Sequence, residues 1–317
     1  MKTPSVALLA LGATSVLAGS ASVCPKDNTH TSGAALQKIL DYKKGDHEIM
    51  AAYFRSWRDI ASGPDYNKVA MDDLPDCLDI AIVFPDGGEP ESFYTALKDN
   101  YVPTLRKRGT KVVRTLGIAT FLDDSYPNNA AGYESQANDF LAKYVTPYDL
   151  DGLDVDVERS LSSTQVQKVT GVFAALSKKI GPKSGTGKLF IYDTNQDGNT
   201  PLFRNVHSYI DYVFVQSYGR RVSGLQSTWN TYNPYVTSKQ YLIGFSFYEE
   251  RGFNWNDVNP PIRTSRAGQY AKWEPAGAKK GGIFSYAVDR DGVPAGHDDL
   301  EPTDFSWTRE LISIMNP

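Results

Sequence analysis

Asp151-Gly-Leu-Asp-Val-Asp-Val-Glu158 is the stretch of this 317-residue chain that decides its fold. Aliphatic and acidic residues alternate strictly within it: Leu153, Val155 and Val157 against Asp154, Asp156 and Glu158. A period of two is typical of a β-strand, because successive side chains leave opposite faces. The stretch therefore predicts a strand with one apolar face and one face that carries three carboxyl groups.

Three carboxyl groups on one strand face repel one another. Same-face neighbours stand two residues apart, about 6.6 Å at roughly 3.3 Å per residue, so their charges interact strongly wherever water is partly excluded. We therefore expect at least one of these acids to stay protonated near neutral pH. Unequal pKa values in adjacent carboxyl groups supply a proton donor and a charged stabiliser from the same chemical group.

Two other structures would use the same residue types. A solvated edge strand tolerates an acidic face, and calcium sites use carboxylate ligands. The common calcium loop, however, has a glycine after its third acidic position and a bidentate Glu further on. Here the only glycine, Gly152, precedes the run. Calcium coordination is therefore disfavoured, and the solvated edge has to be judged from the surrounding elements.

The first 21 residues have the pattern of a secretory signal peptide. Lys2 supplies a positive charge, residues 6–18 form a short apolar core, and residues 19–21 offer small side chains for cleavage. The apolar core is shorter than the roughly 20 residues that span a bilayer, and no later stretch is apolar enough. We expect a secreted, extracellular protein with no membrane association.

The remaining composition narrows the function classes. A net charge of −4 with both signs dispersed gives no basic patch for nucleic acid or for a membrane surface. Cys24 and Cys77 are the only cysteines, and they could form a disulfide or remain separate thiols. Two cysteines and four scattered histidines match none of the spacings of a zinc site. We expect no metal, no cofactor and a monomer.

Short apolar runs recur along the chain, and helical patterns separate most of them. The eight runs are residues 48–55, 78–84, 111–118, 151–158, 188–193, 212–218, 240–248 and 282–288. The helical patterns are at 90–108, 132–144, after Ser162, at 268–279 and at 303–314, whereas the segment between the sixth and seventh runs reads as an irregular loop. This order predicts a single-domain α/β protein, a (β/α)8 TIM barrel over residues 46–317, preceded by an arm at 22–45 with a short helix at 34–42.

The C-terminal ends of the strands hold the active site in such barrels. Polar and aromatic side chains gather at these ends: Tyr53, Arg55, Phe84, Asp86, Thr115, Glu158, Asp193, Asn195, Gln216, Tyr218, Phe247, Tyr248, Tyr286 and Asp289. In this arrangement the acidic strand is central, so its acids can be tolerated only where they face the polar mouth. The solvated-edge interpretation is thereby disfavoured.

The acidic stretch resembles the signature of glycoside hydrolase family 18, Asp-Gly-x-Asp-x-Asp-x-Glu at the end of the fourth barrel strand. Every signature position matches, and the eight-strand layout extends the resemblance over most of the chain. The resemblance implies that Glu158 is the general acid and then the base. It also implies that Asp156 orients the substrate's 2-acetamido group, whose oxygen forms an oxazolinium intermediate, and that Asp154 shares a proton with Asp156. No second protein carboxylate then acts as nucleophile, an exception among glycosidases.

Gln216 and Tyr218 are similar to the family's Gln-x-Tyr variant, in which the Tyr hydroxyl steadies the acetamido oxygen. Chitinases of the family usually carry Ser-x-Gly-Gly on strand three and Met-x-Tyr-Asp on strand six, whereas residues 114–118 here read Arg-Thr-Leu-Gly-Ile and residues 216–219 read Gln-Ser-Tyr-Gly. These departures, together with the segments at 52–59 and 192–195, resemble the endo-β-N-acetylglucosaminidase branch, particularly its secreted bacterial and fungal members. That branch cuts between the two N-acetylglucosamines at the base of N-linked glycans, which implies N-glycans or N-glycoproteins as substrate.

Seven further side chains are candidates for substrate binding: Tyr53, Arg55, Phe84, Asp193, Asn195, Trp229 and Tyr286. Each has a structural alternative. The barrel aromatics could fill the top of the barrel, Arg55 could pair with Asp59 or another acid, and Trp229 could anchor its own loop. Two other functions stay open, a chitinase of the same family and a noncatalytic sugar-binding protein, although the presence of Glu158 favours an enzyme.

Overall fold

Eight parallel strands form a closed barrel in chain order in the computed structural model, which describes Cys24 and residues 30–317. The predicted signal peptide at residues 1–21 lies outside the described residues. The strands are β1 Ile49–Arg55, β2 Ile80–Phe84, β3 Lys111–Gly117, β4 Gly152–Val157, β5 Leu189–Thr194, β6 Tyr212–Gln216, β7 Tyr241–Ser246 and β8 Gly282–Tyr286. The predicted (β/α)8 barrel is confirmed.

Helices cover the outside of the barrel. They are α1 Gly33–Lys44, α2 Glu91–Ala96, α3 Val102–Lys107, α4 Ala130–Phe140, α5 Ser163–Leu176, α6 Pro201–Val206, α7 Leu225–Tyr232, α8 Arg266–Lys272 and α9 Ser306–Met315. A π-helical turn, Leu97–Tyr101, joins α2 to α3, so the helix predicted at 90–108 is nearly continuous. Within the described part of the chain, none of the helices combines the length and the apolar character that a membrane span requires.

The loop predicted between β6 and β7 is wrong in part, because α7 forms there. Leu225, Trp229 and Tyr232 are spaced four and three residues apart, which places them on one buried helical face. The helix is only eight residues long, so it repeats its apolar spacing too few times to stand out in the sequence. The helix is therefore recognised from the burial of this face and not from the sequence pattern.

Two apolar layers hold the barrel together. The inner layer consists of Ala51, Tyr53, Ile80, Ile82, Val113, Ile191, Phe214, Leu242 and Phe284, and the outer layer fills the space between strands and helices. The rings of Phe214 and Phe284 stack inside the barrel with centroids 4.9 Å apart. A Cβ atom on Gly244 would lie 2.3 Å from the Phe284 ring, so glycine is needed at that position for the ring to fill the interior.

The alternation in β4 sorts its side chains between these layers. Leu153, Val155 and Val157 belong to the outer apolar layer. Because successive side chains of a strand point to opposite faces, Asp154 and Asp156 point into the barrel. The strand pattern read from the sequence therefore places the acids on the inner side, toward the C-terminal mouth.

The N-terminal arm is tied to the barrel. Cys24 and Cys77 form a disulfide, which resolves the alternative that the sequence left open. Helix α1 buries Ile39, and Asn316 donates a hydrogen bond of 2.9 Å to the hydroxyl of Tyr42 near the end of this helix. The helix predicted at 34–42 is confirmed, and the division into an arm and a barrel at residue 46 stays a prediction.

Candidate active site

A cavity of about 640 Å³ opens at the C-terminal end of the barrel. It is lined by Tyr53, Phe84, Asp156, Glu158, Asp193, Asn195, Gln216, Tyr218, Arg220, Glu249, Phe253, Trp255 and Tyr286. The residues come from strand ends and from the loops that follow them. Acidic and aromatic side chains dominate this lining, which is the composition that a sugar-binding cleft requires.

A second cavity of about 460 Å³ lies at the opposite end of the barrel. Its charged side chains all have partners among the described residues. His47 Nε2 lies 2.9 Å from Asp79 Oδ1, and Lys239 Nζ lies 2.9 Å from Asp46 Oδ1. Residues 24 and 30–317 also contain no group of three or more His, Cys, Asp or Glu side chains that could hold a metal ion. The chemistry therefore concentrates in the C-terminal cavity.

Asp154 lies at the floor of this cavity and is fully buried. Its Oδ2 accepts hydrogen bonds from Thr115 Oγ1 at 2.8 Å and from the hydroxyl of Tyr53 at 3.1 Å, while its Oδ1 has no partner in the described residues. Burial raises the pKa of Asp154 to about 8; the bond from Thr115 opposes this rise and the charge of Asp156 adds to it. The expectation that one acid of the strand stays protonated near neutral pH is met here.

Asp156 lies between the floor and the mouth. Burial raises its pKa to about 7, the charge of Glu158 adds to the rise, and a hydrogen bond from Gln216 opposes it. Gln216 Nε2 lies 3.4 Å from Asp156 Oδ1. Asp156 therefore exchanges its proton close to neutral pH, so both of its protonation states are accessible to the reaction.

Glu158 follows the last residue of β4 and is exposed at the mouth. Its side chain makes no hydrogen bond to any other described residue. The carboxyl group is therefore free to reach a ligand in the cavity, and a bound sugar would exclude water from it. Among the three acids of the stretch, this one has the access to a ligand that a proton-transferring group needs.

Asp193 on β5 and Tyr218 just after β6 also line this cavity. Asp193 on β5 is buried, and burial raises its pKa well above the usual range, with the charges of Asp154 and Asp156 adding to the rise. Burial likewise raises the pKa of the Tyr218 hydroxyl well above its ordinary value. This phenol therefore stays protonated, so it is available as a hydrogen-bond donor to a ligand oxygen.

Two aromatic side chains that form a wall at the mouth of the cavity were not predicted from the sequence. Phe253 and Trp255 are 65% and 37% exposed, with ring centroids 4.4 Å apart. Trp255 also lies 6.0 Å from the ring of Tyr218. Both belong to the loop after β7, where two aromatic residues near Gly252 were the available signal. Exposed rings at the mouth of a cavity are suited to stacking on a sugar face.

The structure divides the seven candidates for substrate binding. Five of them line the cavity: Tyr53, Phe84, Asp193, Asn195 and Tyr286. Tyr53 is almost fully buried and donates its hydroxyl hydrogen to Asp154, and the Tyr286 hydroxyl donates to Glu249 Oε2 at 3.2 Å. Direct contact of these five side chains with a substrate stays a prediction.

The structure does not place Arg55 or Trp229 among the residues that line the cavity. Arg55 is 1% exposed and is saturated by Asp289 at 2.6 Å, Glu250 at 2.9 Å and Glu249 at 3.1 Å. It pairs with acids, as the structural alternative proposed, but with these three and not with Asp59. Trp229 is 6% exposed, and its ring lies 4.9 Å from that of Tyr241 in the outer apolar layer.

The proteins that this barrel resembles are glycoside hydrolases, and the chain belongs to that class of enzyme. Its acidic, aromatic-walled cavity is consistent with the class. Residues 52–285 match the family model described as the endo-β-N-acetylglucosaminidase EndoS TIM-barrel domain. The chain is 45% identical to endo-β-N-acetylglucosaminidase F2 of Elizabethkingia meningoseptica, over 93% of this chain and 90% of that protein. It therefore belongs to the endo-β-N-acetylglucosaminidases of glycoside hydrolase family 18, and it has endo-β-N-acetylglucosaminidase activity.

Two solved structures of a fungal relative are similar over the whole barrel. The apo endo-β-N-acetylglucosaminidase from Cordyceps militaris is 64% identical, with a TM-score of 0.91, over 93% of this chain and 100% of that chain. A double mutant of the same fungal enzyme, in complex with fucosyl-N-acetylglucosamine-Asn, is 63% identical, with a TM-score of 0.92 and the same coverage. The family resemblance read from the acidic strand is confirmed.

Proposed function

We propose that this enzyme hydrolyses the β-1,4 bond between the two N-acetylglucosamines at the base of N-linked glycans on glycoproteins. The observation that carries the proposal is the row of Asp154, Asp156 and Glu158, which runs from the buried floor of the cavity to its exposed mouth. The fungal relative was solved with fucosyl-N-acetylglucosamine-Asn, a ligand that contains N-acetylglucosamine and asparagine. That ligand supports an N-glycan as the substrate.

The proposed reaction retains the configuration of the sugar and uses the substrate's own amide. Glu158 gives its proton to the glycosidic oxygen, and the bond from that oxygen to the anomeric carbon breaks. The carbonyl oxygen of the 2-acetamido group forms a bond to the same carbon, which gives an oxazolinium ion. The Glu158 carboxylate then takes a proton from water, the water oxygen attacks the anomeric carbon, and the acetamide is restored.

The buried acids stabilise the charge that develops on the acetamido group. An ionised Asp156 accepts the amide N–H and balances the positive charge of the oxazolinium ion, and the nearby Asp154 holds the one proton that the pair retains. Tyr218, which stays protonated, donates its hydroxyl hydrogen to the acetamido oxygen. Gln216, bonded to Asp156, restricts the orientation of that carboxyl group.

We also propose that the enzyme is secreted and acts as a monomer. The Cys24–Cys77 disulfide supports an oxidising compartment, since such bonds are rare in reducing ones. N-terminal sequencing of exported protein and light scattering of the purified protein test the two statements; a mature N-terminus at Met1, or a stable dimer, would refute them.

Mass spectrometry of a treated glycoprotein tests the proposed substrate. A glycoprotein with defined N-glycans is expected to keep one N-acetylglucosamine, with or without fucose, on each processed asparagine. The matched control is Glu158→Gln, which keeps the size of the side chain and is expected to leave the glycans attached. Intact N-glycans together with rapid cleavage of chitin oligosaccharides by the unmodified enzyme would favour the chitinase alternative.

A further inference from the structure

We propose that Asp193 is a positioning residue that stays neutral and holds the amide of Gln216 against Asp156. It does not react with the sugar itself. This role rests on the proposed acetamido-assisted reaction, and it extends that reaction to a side chain that the family signature on β4 does not contain.

Strand pairing brings Asp193 next to the acid pair. Asp193 on β5 is the register partner of Asp156 on β4, and neighbouring strands lie about 4.8 Å apart. Both side chains line the same cavity. Their carboxyl groups are therefore neighbours on the inner face of the barrel.

Gln216 bridges these two carboxyl groups. Its Nε2 donates to Asp193 Oδ2 at 2.7 Å and lies 3.4 Å from Asp156 Oδ1. The shorter bond is the one to Asp193, so this residue sets the rotation of the amide group. With the NH2 group directed at both acids, Gln216 keeps a donor next to Asp156, which lowers the pKa of Asp156 and favours its ionised form.

The surroundings of Asp193 disfavour a negative charge on it. The titratable groups that face it are the carboxyls of Asp154 and Asp156 on β4 and of Glu158 just after it, together with three tyrosine hydroxyls. These hydroxyls belong to Tyr53 on β1, Tyr192 on β5 and Tyr218 just after β6. The described residues give Asp193 no ion pair with a lysine, arginine or histidine. A further buried carboxylate without a cation would be strongly unfavourable.

The surroundings of Asp193 Oδ1, the second carboxyl oxygen, are consistent with a protonated, neutral side chain. Asp193 is 3% exposed, and its Oδ1 has no hydrogen-bond partner in the described residues. A proton on Oδ1 leaves Oδ2 free to accept from Gln216. Burial raises the pKa of Asp193 well above its usual range, in agreement with this assignment.

The protonation state is tested in the free enzyme, independently of any substrate. Carbon-13 NMR of protein labelled at the aspartate carboxyl carbon measures it, and the signal that disappears in Asp193→Asn identifies the residue. The expected result is a carboxyl shift of the protonated form that does not titrate between pH 5 and 8, roughly the range in which most enzymes are stable. A carboxylate shift at pH 7 overturns the proposal, whatever the substrate of the enzyme proves to be.

Kinetics test the positioning role, with the glycoprotein or with chitin oligosaccharides if those are the better substrate. Asp193→Ala is expected to lower kcat by up to about 10²-fold through misplacement of the amide, with KM changed little. Asp193→Asn, which preserves an acceptor for Gln216 and a donor at Oδ1, is expected to restore most of the lost rate. It is also expected to leave the midpoint of the acidic limb of the pH profile in place.

A double-mutant cycle separates an effect through Gln216 from a direct contact. If Asp193 acts through Gln216, the combined Asp193→Ala and Gln216→Ala variant loses no more rate than Gln216→Ala alone. Multiplying losses accompanied by a raised KM would instead show direct sugar binding and overturn the proposal. A shift of the acidic limb of Asp193→Asn to lower pH by about one unit or more would show that a negative charge had been removed, with the same consequence.

Discussion

Replacing Asp154 by Asn is expected to stabilise the folded protein at alkaline pH and to change its stability little at acidic pH. Burial raises the pKa of Asp154 from 3.8 to about 8. The folded protein therefore binds this proton more tightly than the unfolded chain does. Its contribution to stability is full below pH 3.8 and is lost as the pH rises through about 8.

The size of the effect follows from the difference between the ordinary pKa of an aspartate, 3.8, and the pKa of about 8 that Asp154 has in the folded protein. Each unit of difference is worth about 1.4 kcal/mol, so the wild-type protein loses several kcal/mol, on the order of 5, across the interval. Part of that loss belongs to Asp156, whose titration is linked to that of Asp154. Asn matches the neutral acid in shape: its oxygen can accept from Thr115 and Tyr53, as Asp154 Oδ2 does.

Denaturant unfolding at a series of pH values between 4 and 9 measures the difference. The free energy of unfolding of Asp154→Asn is expected to exceed that of the wild type by several kcal/mol, on the order of 3 or more, at pH 8 and to match it within about 1 kcal/mol at pH 4. The control is Asp65→Asn in the exposed loop after β1, which is expected to follow the wild type throughout. Parallel curves for Asp154→Asn and the wild type would refute the burial argument.

Three further outcomes follow from the site. Glu158→Gln is expected to lower kcat by roughly 10²- to 10⁴-fold, with substrate binding by calorimetry retained, because only proton transfer is lost; loss of binding with unchanged kcat would contradict this. In a profile of kcat/KM against pH, activity is expected to fall below a midpoint near the raised pKa of Asp156, about 7, and a midpoint at 4 would contradict it. Trp255→Ala is expected to raise KM several-fold and to lower the free energy of unfolding by about 1 kcal/mol or less. Trp229→Ala is expected to lower the free energy of unfolding by roughly 3–5 kcal/mol and to leave KM unchanged. Equal effects of the two variants in kinetic and unfolding assays would contradict the different placements of the two rings.

Local periodicity was enough to predict the parts of the fold that depend on one strand at a time. The alternation in β4 determines which side chains face inward, and the succession of eight apolar runs determines a closed barrel. Once the barrel is known, the strand ends must meet at one mouth. Gln216 and Tyr218 could therefore be placed at the mouth of the barrel before any coordinates were known.

Contacts between segments that are distant in the sequence could not be predicted from local periodicity. Arg55 ends a strand and was expected to face the ligand. The acids that saturate it, however, lie about 194 to 234 positions further along the chain, after β7 and β8. Helix α7 is only eight residues long, too short for its apolar spacing to predict a helix, so Trp229 was assigned to an exposed loop.

The aromatic wall at the mouth depends on the conformation of the loop after β7, which the sequence does not give. The ends of the loop after β7 are fixed by contacts that spacing does not reveal. Glu250 is held by Arg55 at 2.9 Å, and Asp257 accepts from Ser246 N at 3.0 Å. These anchors leave Phe253 and Trp255 exposed at the mouth. A sequence gives the aromatic residues of such a loop but not the direction in which the loop turns them.

Fluorination of the substrate's acetamido group tests the central claim most directly. Hydrolysis rates would be measured on one β-linked N-acetylglucosamine substrate whose acetyl group carries none, one, two or three fluorine atoms. Each fluorine makes the carbonyl oxygen a weaker nucleophile without large changes in size. The account predicts a steep, stepwise fall in kcat/KM along the series, because this oxygen attacks the anomeric carbon. A flat response would contradict it and would show that a protein carboxylate or water attacks instead.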